Sequence, residues 1–488
     1  MNRHIRLVAF VALLLIGMVF LKVNYIQLVK AEEYAGHEEN LRTLLKEYSV
    51  QRGPIIAADG QTVVAESVPT PKEQLKYLRG YPTGPLFAHV TGFYSFIYAR
   101  QAIENRYNSA LTGQGGVLTM QDLGDSLLRG GRRGDSVYIS IHPAVQQAAT
   151  EALGPRRGAV VAIDPATGAI LAMAAFPSFD PNVLSSHDAP SIRQSWTALQ
   201  ADGSRPLLNR ATSEAYPPGS TFKIVTAAAA LEHDLGVDTR FPSTAEFKPP
   251  QTDQTINNFG NRACGGDMAE ALRVSCNTYF AQLGAGLSGD DFAETASAFG
   301  FTEKPPLDIS AARSGLPSDE ELASPAFRAQ AAIGQFEVRA TPLQMALVAA
   351  AVANKGEVPK PTLLQKIVDA RGQTVEESKP AVWKRAMTET SAAILRNLMV
   401  DVVEEGTGRN ARIQGVEVGG KTGTAQAGQE GADPHVWFVA FAGTGDPRIA
   451  VAVIVENGGD LGSEATGGAV AAPIAKSVIE AHRGVAGW

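Results

Sequence analysis

The sequence predicts an α+β fold: one antiparallel sheet covered by helices, preceded by a smaller, mainly β N-terminal module and an N-terminal membrane helix. Three observations predict it. Strand-like apolar runs at 158–163, 169–175, 437–442 and 449–456 bracket the second part of the chain, with helix-like stretches between and after them. That pattern suits one sheet packed against helices. Residues 50–64 read as two short strands about the turn pair Asp59–Gly60. Arg3, His4 and Arg6 precede an unbroken apolar run, 7–21, which Val23, Tyr25, Ile26, Leu28 and Val29 extend beyond Lys22.

Composition narrows the classes. A chain of 488 residues, 44% hydrophobic, can bury a large core in more than one domain. A formal charge of −7 argues against a nucleic-acid binder that works by neutralising phosphates. Two cysteines make neither a disulfide framework nor a zinc site. No phosphate-binding loop of the Gly-x-x-x-x-Gly-Lys-Ser/Thr type and no His-Glu-x-x-His helix is expected, so neither a metal nor another cofactor is called for.

In chain order, the first segment reads as an uncleaved anchor. Its strict run is short for a bilayer, but Lys22 can snorkel and Tyr25 suits the interface. Basic residues ahead of it keep the N-terminus inside and send the body out. The competing reading is a cleaved signal peptide, with Val29–Lys30–Ala31 as a poor cleavage site. Residues 30–47 are charged and helix-prone, as in a stalk. The section up to Gly134 holds no dense catalytic cluster and reads as a structural or partner-binding module; Glu104 there, like Asp164 and Glu337 later, has an ordinary structural reading.

A new unit begins near Ser136. A strand is expected at 137–141, a helix at 143–153 with Pro143 at its first position, and a hairpin of 158–163 with 169–175 across Pro165–Ala166–Thr167–Gly168. Residues 178–218 read as a long loop, 239–266 as irregular, and 268–274 as a short helix. Thr341–Pro342–Leu343–Gln344 opens a buried helix, with Thr341 as cap and Gln344 closing the box. Strands follow at 416–425, 437–442 and 449–456, and a closing helix at 468–481.

The chemistry gathers on three strings. In Tyr216–Pro217–Pro218–Gly219–Ser220–Thr221–Phe222–Lys223, two prolines and a glycine lead into an Ala-rich helix. Ser220 therefore sits where a turn becomes a helix, and Lys223, about one turn on, can lie beside its hydroxyl. A serine with an amine in reach is an activated nucleophile, although about one Ser-x-x-Lys is expected by chance in a chain this long. Ser275–Cys276–Asn277 supplies Ser-x-Asn, and Lys421–Thr422–Gly423 supplies Lys-Thr-Gly with Thr424 after it, in that order. Taken singly these are a helix cap and a strand end; the ordered trio is what carries weight.

Acyl transfer needs a base, an oxyanion site and a grip on substrate. Lys223 serves as base only if neutral, and burial with Lys421 as a second cation would lower its pKa. The N–H groups of Ser220 and Thr424 are candidate oxyanion donors. Ser275 can relay protons among Lys223, Lys421 and a leaving amine. Asn277 can hold a substrate amide, while Lys421, Thr422, Gly423 and Thr424 can hold a carboxylate end. His435 and Trp437 can edge the cleft, with strand packing the expected role of Trp437. Cys264 and Cys276 can close a small loop worth roughly 3 kcal/mol; geometry decides whether they do.

At these residues the chain resembles the class B penicillin-binding proteins, since the ordered trio marks penicillin-binding proteins and class A β-lactamases. The likeness extends to Arg52–Gly53–Pro54–Ile55 with Asp59–Gly60, to Glu104 and 107–113, to Asp180–Pro181–Asn182, Asn209–Arg210 and Gly334–Gln335, and to Ala472–Pro473–Ile474. By size and its short N-terminal module it looks most like the penicillin-binding protein A branch. Ala57–Ala58 departs from the Asp-Arg usual before the Asp-Gly turn.

The resemblance implies a peptidoglycan D,D-transpeptidase of cell-wall growth and division, acylated at Ser220 by the D-Ala-D-Ala end of a stem peptide and trapped there by β-lactam antibiotics. It implies a single-pass membrane protein with its catalytic domain outside, and division or elongation partners such as a lipid-II polymerase. The expected layout is a cytoplasmic tail at 1–6, a membrane anchor at 7–29, a pedestal or dimerisation-like module at 30–135 and a transpeptidase domain at 136–488. A D,D-carboxypeptidase would share every site residue. A class A β-lactamase needs a Glu-x-x-Leu-Asn string, which 278–420 lacks. A β-lactam sensor or a non-enzymatic division scaffold are the rivals from other classes.

Overall fold

The computed structural model describes residues 2–30, 48–72, 75–114, 133–233, 235–426 and 433–488. The stalk expected up to residue 47 lies outside the described residues from residue 31 onward. At the centre is a five-stranded sheet in the order Glu417–Ala425, His435–Thr444, Asp446–Val455, Gly158–Ile163, Ile170–Phe176, every pairing antiparallel. Strands from both ends of the unit meet because Ala450–Val455 pairs with Gly158–Ile163.

Both faces of this sheet are buried, which is why its strands are apolar throughout rather than alternating. Val439, Phe441, Ala450 and Ala452 face the core that holds helix Pro342–Ala353. Phe438, Ala440, Val451 and Val453 face helices Pro143–Leu153 and Ala471–Ala486. Helix Pro342–Ala353 is buried on every side up to Val352, as its continuous apolar run requires. Thr341 caps it, accepting from Gln344 N at 3.1 Å. The box does not close: the Gln344 amide donates instead to Phe299 O, 2.8 Å away, where it meets a buried carbonyl.

The expected loop 178–218 contains helix Ala189–Ala201 and the short helices Asn182–Ser185 and Arg210–Ser213. Ile192, Trp196 and Leu199 form one narrow stripe that packs on Phe93 and Tyr98 of the N-terminal module. Its partner is distant in sequence, so the stripe was too weak to read alone. Residues 239–266 carry two small ribbons, Phe241–Thr244 with Cys264–Gly266 and Glu246–Phe247 with Ile256–Asn257, strands too short for a periodic signal.

The N-terminal module is built on a six-stranded sheet in the order Thr374–Glu377, Leu364–Val368, Ser136–Ile139, Ile55–Ile56, Val63–Pro69, Tyr77–Gly80. Three of its strands come from residues after 135, so that sheet joins the module to the larger unit. Beneath it Glu104 is fully buried, bonded to Arg52 at 2.7 Å and Arg79 at 2.5 Å. A second tie runs through Asp308, which accepts from the Tyr107 hydroxyl at 2.7 Å and from Thr362 at 2.9 Å. Helix Asn2–Leu28 is long and apolar enough to cross a membrane and buries no residue against the body.

Candidate active site

The segment that leads to Ser220 is held residue by residue. Tyr216 pairs with Ala340 through both backbone groups, N to O at 2.9 Å and O to N at 2.8 Å. The Trp437 indole donates to Pro217 O at 3.0 Å, and Gly219 N donates to Gly334 O at 3.0 Å. Gly219 has φ +52° and lies on the edge strand, where a Cβ would meet Thr424 O at 2.7 Å. Only glycine suits that conformation and that approach. Ser220 then sits in the 3₁₀ turn Gly219–Phe222 that feeds helix Lys223–Glu232. This is the turn-to-helix junction that the proline-glycine string predicts.

The second motif comes from a helix–helix corner. Helix Met268–Val274 ends at Ser275, which has a left-handed φ of 61° and whose side chain meets Lys223 of helix Lys223–Glu232. Such a conformation is rare for a residue with a Cβ and is a mark of functional sites. Asn277 opens helix Asn277–Gly286. Cys276, between them, is buried and joined to Cys264 by a disulfide, which ties strand Cys264–Gly266 to this corner.

The lysines converge on Ser275. Lys223 Nζ donates to Ser275 O at 2.8 Å, Asn277 Oδ1 at 2.7 Å and Ser275 Oγ at 3.3 Å. Lys421 Nζ donates to the same Ser275 Oγ at 2.8 Å and to Thr422 O at 3.0 Å. One hydroxyl thus bridges two fully buried amines. Burial, then the charge of Lys421, holds the Lys223 amine well below the ordinary lysine value. Burial alone brings Lys421 down to about 7. Lys421 is therefore poised to give and take a proton near neutrality, and Lys223 is shifted toward its neutral form. The Ser220 hydroxyl, adjacent in sequence to this cluster, has no hydrogen-bond partner among the described residues. Lys223 is turned toward Ser275 and Asn277.

On the edge strand Glu417–Ala425, Gly423 pairs with Trp437 and Thr424 with Val436. Gly423 packs closely, since a Cβ there would meet Thr221, Pro218 O and Trp437 at about 3 Å. Thr422 Oγ1 is bonded to Thr407 Oγ1 at 2.7 Å, a partner that sequence reading missed because it lies on no motif. Gly415–Val416–Glu417–Val418–Gly419–Gly420–Lys421–Thr422 does spell the letters of a phosphate-binding loop, contrary to expectation. Residues from Glu417 onward run extended and paired in the sheet, so no cradle of free N–H groups forms there. His435 reaches the site's edge, where its ring stands edge-on to Tyr216 and accepts from Asn457 N at 3.1 Å. A cavity of about 250 Å³ opens there against Tyr216, Pro217, His435 and Glu456. A larger one of about 470 Å³ lies between His89, Arg100 and Asp308, away from Ser220.

Known proteins resemble this chain in sequence and fold. Residues 158–480 match the model of the penicillin-binding protein transpeptidase domain, and residues 52–137 that of the penicillin-binding protein A dimerisation domain. The peptidoglycan D,D-transpeptidase PbpA of Mycolicibacterium smegmatis is 40% identical over 495 residues, covering 99% of each chain. Its namesake in Mycobacterium tuberculosis is 38% identical, again over 99% of each. The ceftriaxone acyl-enzyme structure of penicillin-binding protein A from M. tuberculosis superposes with a TM-score of 0.85 over 90% of this chain and 99% of that one, at 38% identity. The penicillin G acyl-enzyme of the same protein gives 0.81 over 89% and 99%, also at 38% identity. Sequence, fold and the three converging motifs agree: the chain belongs to the penicillin-binding protein transpeptidase family, with the dimerisation module of its penicillin-binding protein A branch.

Proposed function

We propose that the chain is a peptidoglycan D,D-transpeptidase that works through an acyl-enzyme on Ser220 and is inhibited covalently there by β-lactams. The observation that carries the reading is the Ser275 hydroxyl bridging Lys223 and Lys421 beside the nucleophile turn. Neutral Lys223 takes the Ser220 proton as Oγ attacks the carbonyl between the two D-alanines. The N–H groups of Ser220 and Thr424 receive the oxyanion. As the C–N bond breaks, the D-alanine amine leaves with a proton passed through Ser275. An acceptor amine from a neighbouring strand then attacks the ester, gives up its proton along the same relay and frees Ser220.

Lys421, Thr422, Gly423 and Thr424 hold the terminal carboxylate, and Asn277 the peptide amide. In this reading Lys223 turns from Ser275 and Asn277 to act on Ser220. In a β-lactam the broken amide stays tethered to the adduct, so the leaving amine still blocks the acceptor's approach. The N-terminal helix anchors the chain, with the body outside the cytoplasm, where a lipid-II polymerase and other division or elongation proteins act. In this reading residues 30–135 form the pedestal and 136–488 the catalytic unit.

Intact-mass analysis of the full-length chain in detergent with penicillin G tests this. One whole penicillin per chain is expected on Ser220 and none on Ser220→Ala. Rapid return to the free mass with hydrolysed drug would assign a hydrolase instead, and no adduct on the natural chain would refute the reading. Gly334 gives a second check. Its φ is +72° and a Cβ would lie 2.1 Å from Gly219 O. Gly334→Ala is therefore expected to displace the nucleophile turn and slow adduct formation at least about tenfold, as small misplacements of reacting groups do.

A further inference from the structure

Glu456 belongs to none of the three motifs, yet it is the charged group behind the nucleophile segment. It follows strand Asp446–Val455, where its N–H donates to Arg157 O at 2.7 Å. Its carboxylate is about nine-tenths buried. Oε1 accepts from the Tyr216 hydroxyl at 2.8 Å and from Arg210 Nε at 2.7 Å, and Oε2 pairs with Arg157 at 3.1 Å. Arg210 is itself fully buried and also donates to Ser204 O at 2.7 Å and Arg205 O at 3.1 Å. The anchor is thus one carboxylate held by three donors from two separate stretches of chain.

Tyr216 stands four residues before Ser220. Its backbone is clamped to Ala340, its ring lies edge-on to Trp437 with centroids 6.1 Å apart, and Trp437 holds Pro217 O. Between Tyr216 and Ser220 lie two prolines and a glycine packed on Thr424 O, a segment with little internal freedom. A shift of the Tyr216 ring therefore has few torsions in which to dissipate before it reaches Ser220. We propose that Glu456 is a positioning residue, acting through Tyr216 to set the height of Ser220 against the strand that carries Thr424, and hence the rate of acylation. The proposal rests on Ser220 being the nucleophile.

Burial would raise the Glu456 carboxyl, but hydrogen bonds from Tyr216 and Arg210 and the nearby arginine charges outweigh it and hold it below the ordinary value. The group is charged at neutral pH, as an acceptor of three donors should be.

The test is stopped-flow acylation of the full-length chain by a fluorescent penicillin, resolved into the binding constant and the limiting acylation rate. Tyr216→Phe removes one hydroxyl and keeps the ring. It is expected to lower the limiting rate about tenfold with binding unchanged, and Glu456→Gln to do the same or more. Because both act through one contact, the double variant should be little slower than Glu456→Gln alone. Ile192→Val, a core change in the separate cluster on Phe93 and Phe179, serves as the comparison for stability loss without a rate effect. An unchanged limiting rate in Tyr216→Phe, or a loss no larger than that of Ile192→Val, would overturn the proposal. Absence of labelling at Ser220 in the natural chain would overturn the transpeptidase reading as well. Tyr216→Phe carries the test even where Glu456→Gln fails to fold.

Discussion

Lys223→Met is expected to leave the chain folded and to slow acylation of Ser220 on the order of 10³-fold or more, the scale of a lost general base. Methionine keeps the length and fills the same buried space without an amine. The stronger form of the prediction lies in pH. A buried amine whose value is lowered is neutral above that lowered value and protonated below it, so acylation should decline as pH falls through it. The causes of the lowering are burial first and the charge of Lys421 second. Lys421→Met removes the second cause, so Lys223 keeps its proton to higher pH and the acid limb of the rate profile should move upward. In the proposed reading Lys421 also grips the carboxylate, so substrate-like ligands should bind more weakly in the same variant. Acylation rates measured across the pH range decide the matter. A limb that stays in place, or moves down, would remove Lys223 from the role of base.

The other large effect is far from Ser220. Glu104→Gln is expected to destabilise the chain by about 3–5 kcal/mol, the usual result of removing one partner from a buried ion cluster. Arg52 and Arg79 are 3% and 2% exposed and would keep their charges without an anion. Burial pushes the Glu104 carboxyl up, but the two arginines outweigh it and hold it below the ordinary value. The sign follows for acid: this stabilisation is complete above the ordinary carboxylate range and is lost as pH falls through the lowered value. Urea unfolding of the natural chain and the variant at neutral and acid pH measures both. A difference below about 1 kcal/mol at neutral pH would show that the cluster is not an obligatory anchor. Replacing all three by apolar residues of similar volume, as Arg52→Met, Glu104→Leu and Arg79→Met together, should restore much of the loss.

The legible parts share a cause. Helix Pro143–Leu153, the hairpin of Gly158–Ile163 with Ile170–Phe176 and helix Pro342–Ala353 each carry a local signal: a proline at the first turn, a turn string or an unbroken apolar run. The three motifs are local strings too, so their order along the chain was enough to nominate Ser220, Lys223, Ser275, Asn277 and Lys421, of which the last four meet in one hydrogen-bonded cluster. Helix Ala189–Ala201 escaped because its apolar stripe is completed by Phe93 and Tyr98, about a hundred residues earlier. Glu104, read as ordinary, is a buried charge whose two partners lie at Arg52 and Arg79. Nothing in the letters around a glutamate announces that it will be desolvated.

By itself, then, the amino-acid sequence determined the class of fold, an N-terminal helix apolar enough to cross a membrane and the candidate residues of the site, because propensity, apolar periodicity and short motifs act over a few residues. Only the tertiary structure decided that one hydroxyl, Ser275, sits between two buried amines and that Cys276 is tied away from it. It alone placed Thr407 on Thr422 and Glu456 behind Tyr216. Those facts depend on burial and on contacts between segments up to 240 residues apart. Burial and proximity set the protonation of a lysine or a glutamate, and neither exists until the chain has closed on itself.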